Sequence, residues 1–493
     1  ITLSPVFLLI FSFISTKFII FNRQTVDVEY LSITFFPSVN SLNFFDSAGN
    51  FIINSSFFPI TLFLAFSKAA LAQFGNCTAS EMRTYVDSAT GNTITMLTDT
   101  MKNDRFLYQT DPMWTADGKY LLFRSSSRGN DKEVESTLPN GEKRKWTPTQ
   151  IYFIEMATGK IIQATEGPNL GSAFLANKTN RMFVSRKEKE NWNMYVMDLD
   201  KFFADVKQGK VGKPSAYETF IGTFPTEMGR PGGYAVDCND DYAYITVERE
   251  GTEEEKERMM KNAFLPESNQ PVKIKPTLCG IRKMNLSTGE VTKVIDTEFK
   301  TGHIQASRFT PGEIVFCNET GGDAHQRMWF CTADGTVFKP LYKETPLDWV
   351  THETFATKDF VYFNILGFQP RLRKQASGIV RINLRTDDVE LIGQVELEKD
   401  RQAIDGQLVG RGFWHCNASR DNKWAAGDTF GGNVWLINVQ TGERHWLVSD
   451  TKMKPDHAHP SFSPDGTKVL FQSGHFTNGK RLNLMMVDIS SFK

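Results

Sequence analysis

Short apolar runs that alternate with polar turns recur along this chain after residue 80. One repeated unit is a turn followed by an apolar strand, as in residues 114–118 (WTADG) and 120–123 (YLLF). Further copies lie at residues 239–245, 310–316 and 463–471, and weaker ones at residues 178–184, 357–363 and 420–424. The pattern therefore predicts about seven structural repeats.

A second unit consists of an alternating strand, a turn of the Thr-Gly type and another strand. It occurs at residues 151–159, 281–289 and 434–442. Alternation with a period of two, bounded by Gly and Asp, predicts hairpins. No long helical period competes with it. Four short strands per unit, repeated at intervals of roughly 40–55 residues, are typical of a β-propeller.

The two ends of the repeat region complement each other. Residues 83–97 hold a strand pair without a turn-and-strand unit in front of it, and the last unit stops after residues 484–489. Joined as one blade, the two halves close the ring and hide both sheet edges. We predict an all-β chain in which residues 73–493 form a single seven-bladed β-propeller, with eight blades as the alternative.

Two polar insertions interrupt the repeat. Residues 127–147 are charged and contain Gly, which predicts a surface hairpin. Residues 248–258 are rich in Glu, Lys and Arg and predict a short solvated helix. Neither pattern indicates a functional site.

The first 72 residues differ from the rest of the chain. They are rich in Phe, Ile and Ser, and the first Met is Met82. This composition predicts a signal peptide preceded by a disordered or mistranslated segment. The apolar run at residues 57–66 and the small-x-small sequence Ala70-Leu71-Ala72 are typical of a cleaved signal peptide. We expect a periplasmic or secreted product, with a cytoplasmic one as the alternative.

Overall charge and cysteine content exclude several classes of protein. The formal net charge is -1, so no global field favours nucleic acid, and we expect no stable membrane association of the mature chain. The six cysteines are scattered without a C-x-x-C pair, which argues against a zinc or disulfide framework. We expect buried free thiols, with pairing of Cys317 and Cys331 as the alternative.

Histidines are confined to the C-terminal part of the chain, where none of the eight precedes His303. In a propeller, the segments that enter the innermost strands converge on one end of the central channel. Five histidines fall in such segments: His303, His352, His415, His457 and His459. Neutral imidazoles that meet at one point suit a divalent transition metal, which makes His415, His457 and His459 candidate ligands.

Two further residues suit acid–base chemistry near such a metal. His352, in the sequence Thr-His-Glu, is a candidate general base. Arg327 is a candidate for neutralising a carboxylate. Signatures of other chemistries are missing from the sequence, since it contains no Gly-x-Ser-x-Gly elbow, phosphate loop or His-Glu-x-x-His motif.

Four blocks of sequence resemble the oligogalacturonate lyase family, and the resemblance extends over most of residues 83–488. The blocks are residues 84–91 (TYVDSATG), 327–336 (RMWFCTADGT), 351–353 (THE) and 457–465 (HAHPSFSPD). The resemblance implies a seven-bladed propeller, β-elimination on short galacturonate oligomers, and a Mn²⁺-type ion held by three His and a Gln.

The resemblance also implies roles for individual residues. The metal-binding histidines correspond to His415, His457 and His459, the catalytic base to His352 and the catalytic arginine to Arg327. The Gln ligand corresponds to Lys454, a departure that bears on metal affinity because a cation beside a dication is unfavourable. Lys454 is instead a candidate for binding a substrate carboxylate, and His303, in the same layer, is a second candidate substrate-binding residue.

The predicted function is that of a lyase that cleaves short oligogalacturonates, such as digalacturonate and its unsaturated form, by metal-assisted β-elimination with a His base. Two alternatives remain. One is a family member with a different uronate substrate. The other is a catalytically inactive propeller that acts as a binding scaffold.

Overall fold

The computed structural model describes residues 74–129, 133–137, 142–262, 277–320, 324–367, 372, 376–395 and 412–492, together with four strands nearer the N-terminus. The chain forms two compact units, Ile1–Leu71 and Ala72–Lys493. In the first unit, Phe7–Leu9 pairs with Ile19–Phe21, and Leu31–Phe35 pairs with Ile60–Leu64. The small-x-small sequence at residues 70–72 lies outside the described residues.

Seven antiparallel sheets form the blades of a propeller in the second unit. Each blade is given from its innermost strand outward. Blade 1 consists of Asp104–Arg105, Tyr120–Ser125, Gln150–Glu155, Ile161–Gln163 and Cys77–Thr78, and blade 2 of Leu170–Leu175, Arg181–Glu188, Asn191–Asp198 and Glu218–Phe224. Blade 3 consists of Arg230–Val236, Tyr242–Arg249, Leu278–Asn285 and Val291–Thr297. Blade 4 consists of Thr301–Ala306, Glu313–Asn318, Met328–Thr332 and Phe338–Pro340. Blade 5 consists of Val350–Thr354, Phe360–Ile365, Gly378–Asn383 and Val389–Gly393. Blade 6 consists of Phe413–Ala418, Trp424–Thr429, Val434–Asn438 and Arg444–Val448.

Blade 7 is built from both ends of the propeller sequence. It consists of Ser461–Phe462, Lys468–Ser473, Asn483–Asp488, Thr93–Met96 and Arg83–Val86. Ile94 is the register partner of Val487, so a strand from the start of the propeller completes the last blade. The seven-bladed prediction and the predicted ring closure are confirmed, and the eight-bladed alternative is wrong.

The repeated Asp-containing turns explain why the pattern was visible in the sequence. In blade 1, the Asp117 carboxylate accepts hydrogen bonds from the Thr115 hydroxyl at 2.7 Å and from the Lys119 amide at 3.1 Å. Gly118 follows with φ of 70°, a conformation that costs glycine little. The turn at residues 463–467 repeats these contacts around its own aspartate. The chemistry is local, so the sequence alone identifies it.

The hydrophobic core lies between neighbouring blades. Both faces of a middle strand are covered, so the four consecutive residues Tyr120, Leu121, Leu122 and Phe123 are all buried. Between blades 4 and 5, apolar side chains of both sheets join one cluster, which includes Val315, Met328, Val361, Phe363 and Val380. Face-to-face packing of this kind fixes the blades around the channel, so the innermost strands become a rigid support for a site.

The insertions match the sequence pattern in part. Val134–Thr137 and Lys143–Trp146 form the predicted hairpin, and Glu253–Asn262 forms a helix that overlaps the expected one. A second helix, Leu199–Gln208, was not expected. Its N-terminus is capped by the Asp198 side chain, and Phe203 stacks on Tyr120 with ring centroids 3.7 Å apart. None of the helices that the structure describes is long and apolar enough to cross a membrane.

All six cysteines are free thiols, and all except Cys77 are buried. This agrees with the expected buried free thiols. Cys317 and Cys331, whose pairing was the alternative, lie on neighbouring strands of blade 4 without a disulfide between them. The fold is therefore held together by packing and by strand pairing in the described residues.

Asp87 ties the ring-closing strands to blade 6. Its carboxylate accepts hydrogen bonds from the Ser449 amide at 2.7 Å and hydroxyl at 2.9 Å, and from the amides of Ala89 and Thr90. Replacement by alanine is expected to lower the free energy of unfolding at pH 7 by about 2–3 kcal/mol, since charged acceptors form the stronger hydrogen bonds. Urea denaturation measures the difference.

At acidic pH, the difference in the free energy of unfolding between the parent and Asp87→Ala should become smaller. Burial alone would raise the pKa of Asp87, but the hydrogen bonds from Ser449, Ala89 and Thr90 outweigh it and lower the pKa. Folding thus favours the ionised form, so its stabilisation is present above the unfolded-state pKa and is lost as pH falls through the folded-state pKa. The matched control is Asp334→Ala, at an exposed turn within one blade. An equal effect of both substitutions would contradict the assigned role.

Candidate functional site

Irregular backbone in the innermost strands directs two of the predicted histidines toward the channel. The pairing register of the innermost strand shifts at His303 in blade 4 and at His352 in blade 5. Both residues adopt positive φ, 50° and 56° respectively. Bulges of this kind re-aim a side chain, and non-glycine residues at positive φ cluster at functional sites. The same local device therefore operates in two adjacent blades.

The structure brings the three candidate metal ligands and the candidate base together. The ring centroid of His415 lies 4.1 Å from that of His352, 3.9 Å from that of His459 and 5.3 Å from that of His457. Tyr108, from the segment after the innermost strand of blade 1, packs edge-on against His459 at 5.3 Å. Blades 1, 5 and 6 and the segment that enters blade 7 thus meet at one point.

Hydrogen bonds orient two of these imidazoles. The Asp428 carboxylate lies 3.1 Å from His415 Nδ1 through each oxygen, and it also accepts the backbone amides of His415 at 2.7 Å and His459 at 3.1 Å. A ring nitrogen facing a carboxylate bears the proton, so neutral His415 has its lone pair on Nε2. A carboxylate that accepts the proton of one ring nitrogen commonly orients the other nitrogen of a metal-binding histidine in this way.

The electrostatic environment favours neutral imidazoles. Burial lowers the pKa of His352 well below its usual value, and the neighbouring His415 and His303 lower it further. Burial, followed by His459 and His457, has the same effect on the pKa of His415. Burial also lowers the pKa of His457. Metal ions bind the unprotonated imidazole, so these residues are in the form that a ligand requires.

The donor set fits a divalent cation of the manganese type. Ligand atoms of His415, Asp428 and His457 all lie within 4.8 Å of one another. Imidazole nitrogens and carboxylate oxygens are a mixture that such ions accept. Lys454 is exposed, three residues before His457, so its ammonium group is not buried against the imidazoles. Lys454 therefore places no buried charge among the histidines.

Arg327 and His303 meet on a shared carboxylate beside this cluster. Glu319 Oε2 lies 3.3 Å from Arg327 Nη2 and 3.2 Å from His303 Nε2. Arg327 Nη1 also donates to the Asn318 carbonyl at 3.4 Å. Burial alone would lower the pKa of Arg327, but Cys317 and Glu319 among other groups outweigh it and keep the guanidinium charged. The arrangement shows that a carboxylate can occupy the space in front of this arginine.

Two buried polar groups lie behind the histidines. Glu353 is fully buried, and neither of its carboxylate oxygens has a hydrogen-bond partner among the described residues. Tyr108 likewise has no partner for its hydroxyl there. Burial raises the pKa of Glu353 and, together with that carboxylate, raises the pKa of Tyr108 well above its usual value. Both groups therefore place polar atoms in the buried surroundings of the histidines.

Sequence reasoning identified the histidines and Arg327 but missed their partners. Asp428 lies on another strand, Glu319 and Tyr108 lie in segments that follow strands, and no motif marks any of the three. Asp456 was visible, since it directly precedes His457, and its carboxylate lies 3.2 Å from His459 Nε2. Of the two candidate substrate-binding residues, His303 lies near the cluster, with its ring centroid 6.1 Å from that of His352, whereas Lys454 is exposed at the surface.

Comparison with known proteins finds sequence relatives that are all described as lyases of the same kind. A family model described as oligogalacturonate lyase matches residues 268–491. The oligogalacturonate lyase of Dickeya dadantii is 24% identical over 412 residues, which cover 79% of this chain and 92% of that protein. The oligogalacturonide lyase of Pectobacterium atrosepticum is 23% identical over 425 residues, which cover 81% of this chain and 94% of that protein.

Solved structures show the same fold. An oligogalacturonate lyase in complex with manganese superposes with a TM-score of 0.63 at 18% identity, covering 85% of this chain and 99% of its own. An oligogalacturonate lyase from Vibrio parahaemolyticus gives a TM-score of 0.63 at 18% identity, covering 85% of this chain and 100% of its own. The resemblance indicated by the sequence blocks is thereby confirmed.

Proposed function

We propose that this chain, as a relative of the oligogalacturonate lyases, is a lyase that cleaves short oligogalacturonates by β-elimination. The relatives at 24% and 23% identity support a lyase that acts on such oligomers. The single structural observation behind the proposed mechanism is the cluster in which buried, neutral His352 lies against His415, with Arg327 nearby. Elimination needs a base and positive charge near one carboxylate, and this cluster offers both.

A divalent cation suits the proposed metal centre of His415, His457 and His459. The support is that ligand atoms of His415 and His457 lie within 4.8 Å of one another and of the Asp428 carboxylate, that the ring centroid of His459 lies 3.9 Å from that of His415, and that a solved structure of the same fold contains manganese. When bound, the cation would supply positive charge beside the uronate carboxylate, where negative charge develops as the C5 proton leaves. We propose Mn²⁺ as the physiological ion.

His352 removes the C5 proton in the proposed reaction. Its imidazole makes no hydrogen bond to other described residues, so its basic nitrogen is not already engaged. The electron pair of the C5–H bond becomes the C4–C5 double bond, and the C4–O bond breaks with its electrons on oxygen. That oxygen takes up a proton, either the one now on His352 or one from solvent, and leaves as the new sugar hydroxyl, so the products are an unsaturated uronate and the remainder of the oligomer.

Arg327 holds the carboxylate of the sugar that loses the proton. In the described structure its guanidinium already contacts one carboxylate, that of Glu319. A substrate carboxylate can share or replace that contact, and the rigid guanidinium fork matches carboxylate geometry. His303 lies on the other side of Glu319, so we propose that it contacts the substrate in the same region.

We also propose export of the protein, as the sequence indicates.

The lyase assay tests the proposed function. Digalacturonate and trigalacturonate are incubated with the protein, with and without added Mn²⁺, and the ultraviolet absorbance of the unsaturated product is followed. We expect absorbance to increase, to stop after treatment with a chelator and to return when Mn²⁺ is restored. A chelator-insensitive rate would contradict metal assistance.

The variant Lys454→Gln separates the alternatives in the same assay. Activity in the parent protein would show that Lys454 is compatible with lyase chemistry. Activity only in Lys454→Gln would indicate an intact fold with an altered site. No activity in either protein would favour a different uronate substrate or a binding scaffold.

A further inference from the structure

A short sequence is repeated in blades 4 and 6 and leads away from the histidine cluster. Residues 303–308 (HIQASR) and 415–420 (HCNASR) both have the pattern His-x-x-Ala-Ser-Arg. In each copy the histidine lies on the innermost strand, and the arginine lies two residues after that strand ends. Five residues of extended chain span roughly 15 Å. The two arginines therefore lie toward the other end of the central channel from the histidines.

The turn that follows each innermost strand needs the serine of this repeat but not the arginine. Ser419 Oγ accepts the Trp424 amide at 2.9 Å, and Ser307 Oγ accepts two amides of its own turn. The hydroxyls of the corresponding turns in blades 1 and 7 make similar contacts. The next residue in those two turns is Ala116 or Pro464. The fold therefore does not explain why arginine follows the serine in blades 4 and 6.

Both arginines, Arg308 and Arg420, line one cavity in the channel. Asp111, Trp114 and Ser461 also contribute to its wall. The last residues of the innermost strands of blades 5, 6 and 7 lie in the same wall, which places the cavity at the end of the channel where those strands finish. None of the proposed metal ligands belongs to this wall, so the cavity is separate from the proposed metal centre.

The cavity holds two positive charges that lack close partners. Arg308 Nη2 donates to the Thr110 carbonyl at 2.9 Å, whereas Arg420 makes no hydrogen bond or ion pair with a described residue. Burial, followed by the charge of Arg420, lowers the pKa of Arg308 to about 9, so the guanidinium stays charged at neutral pH. Removal from bulk water also lowers the pKa of Arg420. Like charges withdrawn from water are costly unless an anion joins them.

Asp111 is the acidic residue of this wall, and it offsets the two arginines only in part. Its carboxylate interacts more strongly with Arg124, which lies outside the wall, than with Arg308. Burial raises the pKa of Asp111 to about 6, because these two arginines lower it by less than burial raises it. One carboxylate shared in this way leaves the cavity with an excess of positive charge.

Unpaired hydrogen-bond donors in the same wall indicate the class of ligand. Trp114 Nε1 and Ser461 Oγ are buried, and neither has a hydrogen-bond partner among the described residues. An indole N–H and a guanidinium can only donate, and a hydroxyl can donate as well. A ligand that complements this wall must therefore accept hydrogen bonds and carry negative charge. Oxyanions do both, and their geometry matches the planar fork of an arginine.

We propose that this end of the central channel binds a small oxyanion, a carboxylate or a phosphate, between Arg308 and Arg420. The site is an addition to the proposed lyase function and does not depend on it. The carboxylate of a free uronate and inorganic phosphate share the required chemistry, so binding measurements with each anion distinguish the two sources.

Isothermal titration of the full chain with inorganic phosphate, and in parallel with galacturonate, tests the proposal. The main variant is Arg420→Gln, which removes a charge without removing a hydrogen bond to a described residue. We expect the dissociation constant of the bound anion to increase about 10–100-fold, the range for charge-assisted hydrogen bonds. The matched control is Lys358→Gln, at the equivalent position of the turn in blade 5 but outside the cavity wall. This control should keep the affinity of the parent.

Each outcome decides the proposal. Equal affinities of the parent and Arg420→Gln for both anions would overturn it, as would failure of the parent to bind either anion. A loss of phosphate affinity identifies a phosphate site, and a loss of galacturonate affinity alone identifies a carboxylate site. Arg308→Lys is the second variant, since it keeps a charge that can donate to the Thr110 carbonyl but lacks the fork. It should also weaken binding several-fold, and it provides the same test if Arg420→Gln does not fold.

Discussion

Replacing His352 with alanine is expected to lower kcat on digalacturonate by about 10²–10⁴-fold, the range that positioned acid–base groups contribute. The imidazole is buried and neutral, and a bulge in the innermost strand of blade 5 places it against His415. Among the described imidazoles near it, His415, His457 and His459 are proposed metal ligands, and His303 is paired with Glu319, so none is an evident substitute base. The ultraviolet assay measures the effect at saturating substrate.

A metal-binding readout shows that the loss is chemical. Mn²⁺ affinity of His352→Ala should stay within about 3-fold of the parent, because His352 is not a proposed ligand. His475→Ala is the matched control, since His475 is a half-exposed histidine on blade 7 that contacts Asp450. A parent-like rate in His352→Ala, or an equal loss in His475→Ala, would reject His352 as the base.

Arg327→Lys is expected to lower kcat/KM by about 10²–10³-fold, comparable with the loss of one group that stabilises developing charge. Lysine keeps the positive charge but not the planar fork, so it cannot hold both oxygens of a carboxylate. The guanidinium is 5% exposed and aligned by Glu319 and the Asn318 carbonyl, so its position is fixed before substrate arrives. Initial rates at low substrate concentration measure the change.

The lysine variant is chosen over alanine because it leaves the half-buried Glu319 beside a cation. The matched control is Arg385→Lys, on the outer part of blade 5, where the guanidinium pairs with Glu313 and Asp359 and with none of the proposed site residues. Thermal unfolding of both variants should resemble that of the parent. If Arg327→Lys retains full activity on digalacturonate, the carboxylate is bound elsewhere.

The fold was predictable because its signals are local. A turn such as residues 115–119 is specified by its own hydroxyl, carboxylate and glycine, and its hydroxyl–carboxylate contacts recur in blades 6 and 7. The helix Leu199–Gln208 was missed because it is one isolated segment in a repetitive β pattern. Its signal was nevertheless present, since Asp198 caps it and Leu199, Phe202 and Phe203 bury one face.

The site was predictable only in part. Imidazoles are rare and chemically distinctive, so His415, His457 and His459 stood out by residue type and by their place before innermost strands. Their partners depend on the tertiary structure, since Asp428 reaches His459 across a gap of 31 residues and Gln109 reaches it across 350. No short-range pattern encodes such contacts. Backbone conformation was equally hidden, because nothing around His303 or His352 indicates positive φ.

The blade shared by the two ends of the propeller also sets the order in which the molecule can be completed. The Leu484 amide donates to the Thr98 hydroxyl, 386 positions earlier in the sequence. During synthesis, the strand Thr93–Met96 is therefore made long before its partner Asn483–Asp488, and one of its edges stays unpaired until that partner has been made. Closing so long a loop costs entropy before the contacts repay it, so ring closure is the natural late and slow step of folding. His457 and His459 lie in the segment that leads into this blade, so the proposed metal centre includes some of the last residues of the propeller to be made.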